Sequence, residues 1–308
     1  GKGTMKLDKT RCGILAILTI IIWSSTFIST KVLLSAFTPI EILVYRFVLA
    51  WLLMFIVYPH VHRPESLKTE LQLALLGITG GTVYFLAENY ALRISLASNV
   101  SLLVSTAPIL TAACAHAFLK NEKLSRQTVA GSVIAFAGVA LVIFNGKFIL
   151  KLNPLGDFLA ILSSLSWAVY SIIIRKLETR RSTYYITRKI FFYTLVTVLP
   201  VLLINPVRMD FRPLLDPKIA GNLLFLTLFA SCGAYVIWTK VIHTFGPTRA
   251  NSFIYFIPLL TMTESAILLK EPLTVFSLAG ALLIFAGVYT SSRKTNRTRE
   301  GNETDETR

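Results

Sequence analysis

Residues 122–139 read EKLSRQTVAGSVIAFAGV, and residues 271–288 read EPLTVFSLAGALLIFAGV. The two stretches align without a gap. Eight of the 18 positions are identical: Glu122/Glu271, Leu124/Leu273, Ala130/Ala279, Gly131/Gly280, Phe136/Phe285, Ala137/Ala286, Gly138/Gly287 and Val139/Val288. Upstream, Ala107-Pro108-Ile109-Leu110-Thr111 is matched by Ile257-Pro258-Leu259-Leu260-Thr261. Further up, Tyr84 pairs with Tyr235 and Trp23 with Trp167. Because the matches keep one order in both halves, the chain reads as a duplication.

What is duplicated follows from the apolar runs around these motifs. The 308 residues are 54% hydrophobic and only 15% charged, where a soluble domain carries about 25% charged residues. Mean hydropathy is +0.64. A water-exposed surface needs more charge than this chain supplies, so a soluble globule is excluded. A membrane-crossing helix needs roughly 20 apolar residues. Ten candidates meet that need, at 12–34, 39–58, 71–92, 99–119, 128–145, 157–174, 184–204, 221–242, 250–269 and 275–291. The expected fold is all-α, a polytopic membrane protein of ten transmembrane helices. Short connections leave no room for a soluble domain.

Ten spans in two copies make five spans per unit, and five is odd. The second unit then enters the bilayer from the opposite face, which gives an inverted-topology repeat. The expected organisation is a cytoplasmic N-terminal segment 1–11, a first repeat 12–146, an extracytoplasmic connection 147–156, a second repeat 157–291 and a charged cytoplasmic tail 292–308. Gly1–Thr4, ahead of Met5, read as an expression remnant, and no cleaved signal peptide is expected. With the N-terminus inside, twenty-one Lys and Arg fall on the cytoplasmic side and eight outside, while Arg46 and Lys240 lie within spans. That bias places both termini in the cytoplasm and the chain in the cytoplasmic membrane. It also accounts for most of the formal charge of +15, because the basic residues sit in short clusters between apolar runs and form no stripe that nucleic acid would require.

These paired motifs, with the opening GILAILTIIIWSSTFISTKVLL (13–34) and its partner GDFLAILSSLSWAVYSIIIRKL (156–177), resemble the drug/metabolite transporter superfamily, specifically its ten-helix EamA type. The resemblance covers nearly the whole membrane part. It implies a basket of helices around a cavity lined by spans 1, 3, 4, 6, 8 and 9. It also implies export of amino acids or other small metabolites, and it places inside those spans the aromatic residues Trp23, Phe27, Tyr84, Trp167, Tyr170, Tyr235, Trp238 and Tyr255. Polar neighbours Ser24, Thr26, Asn89, Asn99, Ser105 and Asn251 add hydrogen-bonding groups. A mixed aromatic and polar lining suits an amphiphilic metabolite better than a bare inorganic ion.

Ionisable residues inside spans carry the remaining signal. Arg46 lies about seven residues into the second span, roughly 10 Å deep at 1.5 Å per residue. At that depth a charge costs several kcal/mol unless paired or wet, so Arg46 reads as functional. Its candidate partners are Glu88 in the third span and Glu264 in the ninth, which are also the candidates for proton coupling. Lys31 and Lys240 read as snorkelling toward the interfaces. Pro108 and Pro258, mid-span in related helices, are candidate gates or hinges, with plain packing kinks as the alternative. Ala130, Gly131, Ala137, Gly138 and their partners read as close-packing positions. Glu122 and Glu271 read as acids near helix N-termini, with gating pairs as the alternative.

Several chemistries find no support. Cys12, Cys114 and Cys232 have no CxxC spacing, and His60, His62, His116 and His243 have no metal-ligand spacing, so neither metal nor cofactor is expected. No phosphate-binding loop, nucleophile triad or catalytic carboxylate pair is present, which argues against an enzyme. The remaining function is a secondary active or facilitative transporter working by alternating access. A channel, or a lipid- or drug-handling protein of the same fold, is the alternative. The expected partners are a small-molecule substrate and the lipid bilayer, and both monomer and homodimer are compatible.

Overall fold

The computed structural model describes residues 9–95, 97–120, 122–144, 153–207, 210–260, 263–264 and 274–292; the side chains of 97–99, 277 and 292 lie outside that description. All regular structure among the described residues is helical. Among the described residues, eight helices are long and apolar enough to cross a bilayer: Lys9–Leu34, Pro39–Val57, Leu67–Ile94, Val100–Phe118, Arg126–Phe144, Pro154–Lys176, Thr183–Ile204 and Pro217–Phe245 (spans 1–8). After them come a short helix Pro247–Ser252, a 3-10 turn Phe253–Phe256, helical residues 257–260, and an 18-residue helix Val275–Ser292. The expected ninth span is thus described only in part. Glu271, Lys270 and the charged tail lie outside the described residues.

Local sequence explains where spans begin. Thr38-Pro39 opens span 2 with a capping box, in which Thr38 Oγ1 accepts from the Glu41 N–H and Glu41 Oε2 accepts from the Thr38 N–H. Asn153-Pro154 and Asp216-Pro217 open spans 6 and 8 in the same way, with a polar cap followed by a proline that has no N–H to leave orphaned. Side chains such as Ile14, Ile56, Val133, Leu165, Phe229 and Leu282 stay exposed along the outer faces. In a bilayer that surface meets lipid, where it carries no penalty.

Span 5 and the helix Val275–Ser292 cross on their glycines. A Cβ on Gly138 would lie 2.6 Å from the Gly280 carbonyl, and one on Gly280 2.6 Å from the Gly138 carbonyl. At the other end of the crossing, Gly287 abuts the carbonyl of Gly131. The helices are therefore antiparallel at this contact, and only glycine lets the backbones meet so closely. This is the close-packing role read from the motif.

Elsewhere the spans are deliberately irregular. Span 1 breaks at Ser25, between helices Lys9–Ser24 and Thr26–Leu34. Spans 3 and 8 each contain a π-helical stretch, Ile78–Val83 and Leu226–Gly233, lying just before Tyr84 and Tyr235. The freed carbonyls find partners on other spans: Thr79 O accepts from Ser166 Oγ at 2.7 Å, Gly77 O from Thr194 Oγ1 at 3.1 Å, and Gly80 O from the Tyr235 hydroxyl. A side chain at Gly80 would run into the Tyr170 ring, which explains the glycine there.

Pro108 does not kink a continuous helix. A turn at Ser105–Thr106 separates helices Ala97–Val104 and Ala107–Phe118, and Pro108 sits in the first turn of the second, where a proline is well tolerated. The carbonyl its missing N–H would have served, Val104 O, accepts from Ser164 Oγ of span 6 at 3.2 Å. Pro258 likewise follows a 3-10 turn rather than interrupting an α-helix.

The connections are pinned at their ends. Arg188 donates to Tyr58 O (2.5 Å) and His60 O (2.7 Å), Arg181 pairs with Glu65 at 3.3 Å, and Lys189 pairs with Glu70 at 3.0 Å. These contacts bring the connection between spans 2 and 3 against that between spans 6 and 7. Asn153 Nδ2 donates to Ile94 O at 2.7 Å, joining the start of span 6 to the end of span 3. Glu122 lies ahead of the helix that begins at Arg126 and accepts from Thr248 Oγ1 at 2.6 Å. Its partner is therefore the short helix Pro247–Ser252 after span 8, not the terminus of its own helix. Lys31 Nζ donates to Leu92 O at 2.9 Å, so it ties two spans together instead of snorkelling free.

Candidate functional site

The irregular stretches surround a cavity that is partly open to its surroundings. Span 1 contributes Trp23, Thr26, Phe27 and Thr30 from both sides of its break. Span 3 contributes Tyr84, Phe85 and Glu88 from the helical turn after its π stretch. Val104 and Ala107 flank the break in span 4, Trp167 projects from span 6 and Tyr235 from span 8, and Ile254 and Ile257 border the 3-10 turn. Span 2 adds one residue, Arg46.

The aromatic wall is held from behind. Trp167 Nε1 donates to Asn251 Oδ1 at 3.0 Å, while Asn251 Nδ2 donates to Ser171 Oγ at 2.8 Å and Thr111 Oγ1 at 3.1 Å. All of these groups are buried, so each bond avoids a desolvation cost of about 1–3 kcal/mol. Trp23 Nε1 reaches the freed Ala230 carbonyl of the second π stretch at 3.3 Å. Both indoles thus turn their N–H groups into protein and their ring surfaces toward the cavity. The rings brace one another, with Trp23–Trp167 centroids 5.3 Å apart, Tyr84–Trp167 5.3 Å and Trp167–Tyr170 stacked at 4.8 Å.

Against this wall stand two opposite charges. Arg46 Nε donates to Ser231 Oγ at 2.6 Å, and its guanidinium carbon lies 4.3 Å from the Phe85 ring centroid. That cation–π contact, worth about 2 kcal/mol when desolvated, stabilises a charge that water cannot reach freely. Glu88 Oε1 accepts from Tyr84 Oη at 3.0 Å, the spacing of i and i+4 bringing the two onto one helix face. Among the described residues, neither Arg46 nor Glu88 forms an ion pair. Of the two candidate partners of Arg46, Glu264 binds Ser24 and Glu88 is held by Tyr84, so Arg46 and Glu88 are each oriented by a neutral neighbour and both line the cavity.

Eight of the residues named in the sequence analysis line the cavity: Trp23, Thr26, Phe27, Arg46, Tyr84, Glu88, Trp167 and Tyr235. Tyr170, Trp238 and Asn251 are fully buried behind it and support its rings, Trp238 at 4.7 Å from Trp23. Ser105 is spent on the Ser101 carbonyl at 2.8 Å, within the break of span 4. Tyr255 packs among Ala135, Val139, Val142 and Ile284, where span 5 meets the last described helix. Ser24 and Glu264 bind each other at 2.5 Å, outside the lining. Pro108 and Pro258 are buried next to lining residues Ala107 and Ile257. The side chain of Asn99 lies outside the described residues. Lining residues that the sequence analysis does not name are Thr30, Phe85, Val104, Ala107, Ile254 and Ile257. Of these, Thr30 carries a signal, since 23, 26, 27 and 30 fall on one helical face.

An all-helical bundle of apolar spans, broken around a charged and aromatic cavity, defines a multi-pass membrane protein. The model of the EamA-like transporter family matches residues 10–144 and 154–293, and the chain belongs to that family. An uncharacterised transporter of Archaeoglobus fulgidus is 28% identical over 289 residues, covering 91% of this chain and 97% of its own. A protein of Salmonella typhimurium described as a probable amino-acid metabolite efflux pump is 27% identical over 287 residues, covering 90% and 93%. A protein of Escherichia coli K12 with the same description is 24% identical over 287 residues, again covering 90% and 93%. One crystal structure superposes with a TM-score of 0.74 at 17% identity, covering 92% of this chain and 97% of that one, which speaks for the fold alone. No enzyme family is indicated.

Proposed function

We propose that this protein is a secondary transporter that exports small amphiphilic metabolites, of the amino-acid class, from the cytoplasm by alternating access. The observation that carries the reading is the cavity itself: one cation and one anion, each oriented but not neutralised by the other, beside a wall of aromatic rings. Arg46 receives a substrate carboxylate, Glu88 an ammonium group, and the rings of Trp23, Tyr84 and Trp167 cover the apolar remainder. The export direction is supported by the efflux descriptions of the Salmonella and Escherichia relatives.

Ten spans in two inverted repeats are the architecture that serves this mechanism. Support comes from the glycine crossing. The repeat relation exchanges Gly131 with Gly280 and Gly138 with Gly287, so the contact Gly131–Gly287 becomes Gly280–Gly138, as a two-fold axis requires. The paired π stretches ahead of Tyr84 and Tyr235 support it too. Two halves of one fold, oppositely oriented, form two nearly equivalent states open to opposite sides, with the breaks beside Pro108 and Pro258 as the hinges. The protein then sits in the cytoplasmic membrane with both termini inside.

Counterflow tests the reading. Proteoliposomes preloaded with each of the twenty amino acids in turn should accumulate the matching labelled compound transiently and saturably for at least one of them. Flux that never saturates assigns a channel instead. Repeating the flux with and without an imposed pH gradient separates proton antiport through Glu88 from export down the substrate's own gradient.

A further inference from the structure

The break in span 1 meets a carboxylate from another span. Helix Lys9–Ser24 stops and Thr26–Leu34 restarts across Ser25, which makes no side-chain cap to the new helix. Neither Gly nor Pro stands at the break, which leaves the hydroxyls of Ser24, Ser25 and Thr26, or a side chain reaching them from elsewhere, to account for it. Both serine hydroxyls lie within hydrogen-bond distance of one carboxylate. Ser24 Oγ lies 2.5 Å from Glu264 Oε1, and Ser25 Oγ lies 3.1 Å from Glu264 Oε2. The carboxylate comes from about 240 residues away, so this is a tertiary clamp across the two halves of the chain.

We propose that Glu264 is a positioning residue of the cavity, setting the geometry of the span 1 break and through it the rings that face the substrate. Trp23 immediately precedes the clamped serines, and Thr26, Phe27 and Thr30 follow them; all four line the cavity, while Glu264 does not. Their placement therefore depends on how the chain turns at 24–25. The hydroxyls have an alternative partner, since Ser24 Oγ also lies 2.6 Å from Ile21 O and Ser25 Oγ 3.5 Å from it. With the carboxylate gone, both fall back onto that carbonyl, the local bond that bends a helix without breaking it. Removing Glu264 thus re-aims Trp23 and Phe27 rather than leaving a buried group unsatisfied. A glutamine keeps the clamp, because its carbonyl accepts one hydroxyl and its amide donates to the oxygen of the other.

The proposal rests on the cavity being a transport site, so its test has one arm that needs no substrate. Hydrogen exchange read by mass spectrometry should fall in the peptide covering 20–30 of Glu264→Ala and of the Ser24→Ala/Ser25→Ala pair, as the helix closes across Ser25. Glu264→Gln should match the parent there. In counterflow with whichever of the twenty amino acids the parent carries, Glu264→Ala should raise the half-saturating concentration about tenfold. Its maximal rate should change less, and Glu264→Gln should stay within about threefold of the parent. Combining Glu264→Ala with both serine substitutions should cost no more than either alone, because all three act through one clamp. Unchanged exchange at 20–30, additive losses in the triple variant, or a glutamine as damaging as alanine would each overturn the proposal; the last would mean that charge or a transferable proton, not the clamp, is what Glu264 supplies. Should the parent carry none of the twenty, the transport reading fails while the exchange arm still decides the clamp.

Discussion

Replacing Arg46 by alanine removes three things at once: a full positive charge, the donor to Ser231 and the cation over Phe85. Only the first two affect hydrogen bonding, and Ser231 keeps its hydroxyl free to rotate to another acceptor. The loss should therefore fall on ligand binding more than on folding. A hydrogen bond to a charged group contributes about 1.5–3 kcal/mol, so losing the carboxylate contact should weaken binding by about 10- to 150-fold. Arg46→Lys keeps the charge but not the planar fork, and the bond from Nε to Ser231 that aims it is gone; partial recovery is expected. The assay is thermal stabilisation of purified protein by an amino acid that stabilises the parent, run beside the amide of the same compound. The parent should prefer the free carboxylate by about the same 10- to 150-fold. Arg46→Ala should bind acid and amide alike. A variant that still prefers the acid would refute the assignment, since another group would then be reading the carboxylate.

Glu88→Gln should act on the other end of the ligand, lowering affinity for the free amine while sparing its N-acetyl derivative, as read in the same melting assay. Asn251→Ala strands the Trp167 N–H and the hydroxyls of Ser171 and Thr111 in a buried site, and should destabilise the protein by about 1–3 kcal/mol, measured as a lower melting temperature in detergent. Ser164→Ala leaves the Val104 carbonyl without its donor, for a smaller loss of about 1 kcal/mol in the same measurement. Gly138→Val drives a side chain into the Gly280 backbone and should destabilise by about 1–3 kcal/mol, while the ligand affinity of the protein that does fold stays unchanged in the melting assay.

Much of this architecture is written in the sequence because bilayer and backbone impose strong rules. An apolar run of about 20 residues has few alternatives to spanning, and a small-residue motif such as AG-x5-AG has few alternatives to a close helix crossing. Aromatic and charged residues inside spans were legible for the same reason: Trp23, Arg46, Tyr84, Glu88 and Trp167 stand out against leucine and valine, and all face one cavity. What the sequence does not display is which irregularity each span adopts. Pro108 signals a lost hydrogen bond but not that the helix stops four residues earlier, at Val104, where Ser164 reaches over from span 6. The π stretches in spans 3 and 8 carry glycines but no pattern that separates them from ordinary helix; their carbonyls are satisfied by Ser166, Thr194, Tyr235 and Trp23, all distant in sequence. Val104, Ala107, Ile254 and Ile257 line the cavity only because of those breaks, and as apolar residues in apolar spans they had nothing to mark them. Arg46 and Glu88 illustrate the opposite limit: sequence pairs opposite charges, whereas the folded site gives each its own neutral partner and leaves both facing the cavity.

Alternating access makes one demand that no channel and no rigid binding protein shares: a single cavity position must be reachable from either side, but never from both at once. Ala107 is buried, lines the cavity and is small enough to become cysteine with little disturbance. With Cys12, Cys114 and Cys232 replaced, Ala107→Cys in oriented proteoliposomes can be challenged with an impermeant thiol reagent from inside or outside. The account predicts labelling from each side at rates that shift in opposite directions as a transported amino acid is added to one side. Labelling confined to one side whatever the ligand, or equal rates from both sides that no ligand alters, would contradict it.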